Sequence, residues 1–138
     1  MVTILHVEDE EGDRDLFRMA VQRSHAHAAL RTVPDAYIAK EYLQGSREFA
    51  DRTQYPLPDL IVLDLKMPLM SGADFLRWRK TSEFEHIPVI VLSDSANQKE
   101  LAEVLQLGAL LTVPKPSSIH DLETLVQQLS ELELQKVS

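Results

Sequence analysis

Short apolar runs and longer amphipathic segments alternate five times along this chain, and that alternation leaves few folds open. The runs are TILHV (3–7), ALRTV (29–33), DLIVLD (59–64), PVIVL (88–92) and ALLTV (109–113). Several are apolar at consecutive positions, the pattern of parallel strands covered on both faces. The longer segments are DRDLFRMAVQR (13–23), AYIAKEYLQ (36–44), GADFLRWRK (72–80), QKELAEVLQL (98–107) and DLETLVQQLSEL (121–132). They carry apolar stripes at helical spacing: Leu16, Phe17, Ala20 and Val21 in the first, Leu101, Val104 and Leu105 in the fourth, Leu122 to Leu132 in the fifth. Ser118 followed by Asp121 reads as a capping box for the last helix. Strand then helix, five times over, predicts an α/β fold with a five-stranded, doubly wound parallel sheet and right-handed crossovers. One polar stretch, GSREFADRTQYPLP (45–58), is expected to extend the second helix and then cross to the third strand.

Composition narrows the function classes. At 138 residues the chain is read as one domain, 1–138, large enough to bury a core. Its net charge of −8, with no Lys/Arg block, argues against nucleic acid or an anionic membrane as partner. The absence of cysteine excludes disulfides and thiolate metal sites. The N-terminal apolar run is too short and too acid-flanked for a signal peptide, and no run approaches membrane-spanning length, so a cytoplasmic location is expected.

In a doubly wound sheet, sites form at the carboxyl ends of the strands. There the first run ends in Glu8-Asp9-Glu10, the third in Asp64, the fourth in Ser93-Asp94 and the fifth in Pro114-Lys115-Pro116. Crowded carboxylates repel unless a cation sits among them, and oxygen-only ligands suit Mg²⁺ rather than zinc. A carboxylate can also be a phosphoryl-accepting nucleophile, served by positive charge and a donor such as Lys115 and Ser93. Taken singly these residues read blandly: Glu8 and Asp9 as the approach to a helix, Asp64 as a solvated strand end, Ser93 as a turn residue, Lys115 as a surface lysine. Their placement on successive strand ends outweighs those readings.

These motifs resemble the receiver domain of two-component response regulators, over essentially the whole chain. HVEDE is similar to the family's acidic pair, VLDLKMPLMSG to its phosphoacceptor strand and loop, VIVLSDS to its Ser/Thr-bearing fourth strand, and VPKP to its Lys-Pro. The resemblance implies a flavodoxin-like (βα)5 receiver in which Asp64 accepts a phosphoryl group from a sensor histidine kinase or a histidine phosphotransfer protein. It further implies Mg²⁺ held by Asp9 and Asp64, by Glu8 through water and by the Lys66 backbone carbonyl, with Ser93 and Lys115 contacting the phosphoryl group. A cis Lys115–Pro116 bond and the α4–β5–α5 face as partner or homodimer surface are implied likewise. The protein is then not an enzyme acting on a separate substrate, although a receiver assists its own transfer and dephosphorylation.

Only QKVS follows Leu134, so no output domain is expected, and the signal would leave through an unknown downstream protein or by phosphorelay. Asp94 stands where the family often has a small residue, and Thr112 where it commonly has an aromatic that moves inward on activation. These departures support an alternative, a phosphorylation-independent pseudo-receiver acting as an interaction module. A nucleotide-binding reading is weak, since no Gly-rich phosphate loop follows the first strand. His25 and His27, two apart, read as surface residues, His6 as a packed strand residue, and Phe75 and Trp78 as helix packing.

Overall fold

A computed structural model describes residues 1–94 and 97–137, with side chains described through Leu132. The strands are β1 (Val2–Val7), β2 (Ala28–Val33), β3 (Leu60–Asp64), β4 (Val89–Ser93) and β5 (Leu111–Pro114). The helices are α1 (Glu11–Arg23), α2 (Ala36–Gln44), α3 (Gly72–Lys80), α4 (Gln98–Gln106) and α5 (Ile119–Val137). Every strand pairing is parallel, in the order β2-β1-β3-β4-β5. All five residues of β3 and of β4 are buried, which explains their unbroken apolar runs.

Alternate strand residues feed two cores. Leu5, Val7, Ile61, Leu63, Val89 and Val91 pack under Phe75, Leu76 and Val104. Ile4, Val62, Ile90 and Leu92 pack against Phe17, Ala20, Leu125 and Leu129 of α1 and α5. Ser118 caps α5 by accepting from the Asp121 N–H, the forward half of the capping box. The apolar stripes hold with three exceptions: Leu16 and Leu105 are exposed, one position off the buried Phe17 and Val104, and so is Leu132 at the end of the last stripe.

The 45–58 segment corrects the sequence expectation. It does not extend α2, because Gly45 takes φ 67° and closes the helix, with Gly45 N–H donating to Tyr42 O and Ser46 N–H to Glu41 O. A short 3-10 turn, Arg47–Phe49, follows, and Phe49 and Tyr55 pack their rings on Tyr42. Arg52 donates to the carbonyls of Tyr42, Leu43 and Tyr55, so the segment is tied to the body. The histidines fall as expected: His25 and His27 are exposed, while His6 is 2% exposed and stacks on Phe17 at 4.1 Å between centroids. Phe75 is buried and Trp78 is half-buried against it.

His6 gives the fold an acid sensitivity. Burial, with the Lys115 charge adding to it, lowers its pKa to about 3, far below the unfolded value. Between about pH 6.5 and 3 the unfolded chain therefore binds the extra proton, and this contribution to stability, complete above that window, is lost as pH falls. His6→Leu keeps the volume and removes the titration. Urea unfolding from pH 7 to 5 should show the stability difference moving in the variant's favour by about 1 kcal/mol per pH unit below about pH 6. Parallel pH profiles would refute this account.

Candidate functional site

The parallel register brings the acidic strand ends together. Val7 pairs with Leu63, so Glu8 and Asp64 continue adjacent strands side by side. Glu8 N–H donates to Val33 O and Leu65 N–H to Leu92 O, extending the ladders one step past the strands. Arg14 Nη1 donates to the carbonyls of Glu8 (2.8 Å) and Asp9 (3.0 Å) and so anchors the acidic loop. On the other side Ser93 pairs with Pro114, and Lys115 N–H donates to Ser93 O at 3.0 Å.

Carboxylate oxygens of Glu8, Asp9 and Asp64 lie within 4.8 Å of one another. Glu8 is 1% exposed and Asp64 8%, whereas Asp9 faces solvent. Lys115 Nζ lies 2.8 Å from Glu8 Oε1, 2.9 Å from Asp13 Oδ2 and 3.3 Å from Asp64 Oδ2. Asp64 Oδ1 accepts from the Lys66 N–H at 3.2 Å, which orients the carboxylate toward the rim. Three hard oxygen donors from two strand ends, one of them open to water, match a small divalent cation such as Mg²⁺ and offer nothing to a soft metal.

The electrostatics follow from burial. Desolvation raises the Glu8 carboxyl to about 7; the Lys115 hydrogen bond opposes this and the Asp64 carboxylate adds to it. Burial alone would lower Lys115, but its hydrogen bonds to Glu8 and Asp13 and the Asp64 charge outweigh it and hold the ammonium protonated.

Three carboxylates beside one lysine on the carboxyl edge of a doubly wound sheet are compatible with a metal and phosphoryl site, and comparison with known proteins agrees. The family model described as "Response regulator receiver domain" matches residues 4–127. The chain belongs to the response regulator receiver family. It is 36% identical over 122 residues to the protein-glutamate methylesterase/protein-glutamine glutaminase of group 3 operon of Cereibacter sphaeroides, covering 87% of this chain and 30% of that protein. The chain thus spans about a third of the length of the first such relatives. The Mn²⁺-bound response regulator Rcp1 superposes with a TM-score of 0.82 at 29% identity, over 100% of this chain and 98% of that one. Rcp1 comes from Synechocystis. The phosphorylated cyanobacterial phytochrome response regulator RcpA superposes with a TM-score of 0.85 at 30% identity, over 99% and 96% of the two chains.

Every residue singled out in the sequence of this receiver lies on the rim: Glu8, Asp9, Asp64, Lys66, Ser93 and Lys115. Two details differ from expectation. The Lys115–Pro116 bond is trans, not cis; a following proline narrows the preference for trans without reversing it, and Lys115 reaches all its partners from the trans form. Asp13, passed over in the sequence, is a direct partner of Lys115. Its signal was its place in the first turn of α1, four residues past the acidic pair. Asp94 is exposed, and among the described residues no ion pair joins it to Lys66. Thr112 is half-buried and lines a cleft of about 480 Å³ with Ser93, Gln98, Leu101 and Lys115.

Gly72 sets the depth of the β3–α3 turn. Its N–H donates to Leu65 O, and a Cβ there would stand 3.2 Å from both Leu65 Cα and Leu65 O. Leu65 is itself fixed to Leu92 in the ladder, so the backbone cannot yield without moving the residue next to Asp64. Gly72→Ala should cost about 1–2 kcal/mol in urea unfolding, the overpacking outweighing the gain in helix propensity. A neutral or stabilising effect would show that the turn relaxes freely.

Proposed function

We propose that this receiver accepts a phosphoryl group on Asp64 from the phosphohistidine of a sensor histidine kinase or a histidine phosphotransfer protein. The observation that carries the reading is the Asp64 carboxylate at a buried strand end, with the Lys115 ammonium at 3.3 Å and two further carboxylates within 4.8 Å. In the transfer, an Asp64 oxygen forms the new P–O bond as the P–N bond breaks, and the donor imidazole leaves with the electron pair. Lys115 supplies positive charge to the phosphoryl oxygens and Ser93 a hydroxyl donor. Glu8, Asp9 and Asp64, with the Lys66 carbonyl, would hold Mg²⁺, which neutralises charge on the transferring group when bound. That Rcp1 is known with Mn²⁺ bound and RcpA in a phosphorylated form supports both halves of the proposal.

On this reading the chain works as a stand-alone cytoplasmic receiver rather than as an enzyme with a substrate of its own. No described helix is long and apolar enough to cross a membrane. Its output passes to another protein, or onward as phosphoryl, through the α4–β5–α5 face, which exposes Leu105 and Leu110 to a partner or a second copy.

The test is intact mass measurement after incubation with Mg²⁺ and acetyl phosphate. One phosphoryl group should be gained by the wild type, and none by Asp64→Asn or in the presence of a chelator. If neither acetyl phosphate nor a panel of active histidine kinases labels the wild type, the phosphorylation-independent module replaces this reading.

A further inference from the structure

Asp13 is the contact of the rim that no motif accounts for. Lys115 has three carboxylate partners of two kinds. Glu8 and Asp64 belong to the trio gathered for a cation; Asp13, on α1, does not. A dication among Glu8, Asp9 and Asp64 and an ammonium on the same oxygens would be like charges a few ångströms apart in a poorly solvated place. The ammonium then has to give up its share of Glu8 and Asp64 while staying close enough to serve a phosphoryl group.

Asp13 offers it that place. At 2.9 Å its Oδ2 is already bonded to Nζ, and its side chain, 38% exposed, stands on the solvent side of the buried Glu8. Arg14, the neighbouring cation on α1, is held by the carbonyls of Glu8 and Asp9 and makes no ion pair with Asp13 among the described residues. A small cavity of about 20 Å³ lies beside Lys115, lined by both Glu8 and Asp13 together with His6, Phe17 and Pro116.

We propose that Asp13 is a positioning residue: it retains the Lys115 ammonium at the edge of the rim when Glu8 and Asp64 turn to a divalent cation. The proposal rests on the metal-dependent acceptor reading above. Without Asp13, Lys115 stays committed to Glu8 and Asp64 and competes with the incoming metal. Asp13 thus raises the affinity of a site to which it contributes no ligand.

Calorimetric titration with Mg²⁺ of the full chain tests this, alongside acetyl phosphate labelling. Asp13→Asn should weaken Mg²⁺ binding about tenfold, and Asp13→Ser, a second variant should the first fold poorly, by a similar factor. Asp15→Asn is the charge control: it removes the same charge from the same helix, but Asp15 pairs with Arg18 and not with Lys115. It should change the affinity by less than about twofold. Asp13→Glu, which restores the carboxylate, should recover most of the loss, a rescue that a purely structural role would not require. If Asp13→Asn and Asp15→Asn shift binding alike, or Asp13→Asn not at all, the positioning role is overturned while the acceptor reading stands. If the wild type neither binds Mg²⁺ nor takes up phosphoryl from any donor, both fall together.

Discussion

One ammonium group holds the rim together. Carboxylates from β1 and β3 would repel strongly at their observed separation, and Lys115 is the cation that lets them share the edge of a dry sheet. Its reach depends on backbone, not on a long flexible search. Pro114 is paired with Ser93 at the edge strand, and the Lys115 N–H is fixed to the Ser93 carbonyl, so the lysine starts from a defined point two strands away from Asp64. Such an arrangement stabilises the apo protein and at the same time occupies the oxygens a metal needs. On the metal-dependent acceptor reading, the site is therefore built on a competition between cations that Asp13 moderates.

The competition requires a particular strand order. Glu8 and Asp64 come from β1 and β3, which are not consecutive in the chain. Had the strands paired in chain order, β2 would lie between them and the carboxylates would be two strands apart, near 10 Å. The observed order places β2 outside β1 and joins β1 directly to β3, at the point where the direction of winding reverses. Topology and chemistry thus constrain each other: a rim with these residues at these strand ends works only in this winding.

How much of this could be read in advance depended on whether a feature was local or relational. The buried strands announced themselves because a strand covered on both faces has no polar alternation to preserve, as in IVL of β3 and VIVL of β4. Glu8, Asp9, Asp64, Ser93 and Lys115 were legible because they close or closely follow such runs, whereas Lys66 came only from the family resemblance. The stop at Gly45 was missed: the polar stretch behind it suggested a longer helix, although a left-handed glycine is an ordinary helix end. The exposure of Leu105 beside the buried Val104 turns on which part of α4 meets the sheet, which periodicity bounds only loosely. Asp13 was out of reach for a different reason. An acidic residue in the first turn of a helix is expected from the helix dipole alone, and only the position of Lys115, a hundred residues later, gives it a second role.

The other side of the rim bears on how a change at Asp64 would be felt elsewhere. Ser93 borders two spaces: it pairs with Pro114 beside Lys115 and also lines the cleft shared with Gln98, Leu101 and Thr112. An aromatic residue at position 112 would couple these two spaces by filling or leaving the cleft as the rim rearranged. Threonine brings no ring to the cleft, and its β-branched body is stiff at χ1. On the receiver reading the wall of the cleft that meets the output face is α4, where Leu101 lines the cleft and Leu105 and the nearby Leu110 face solvent.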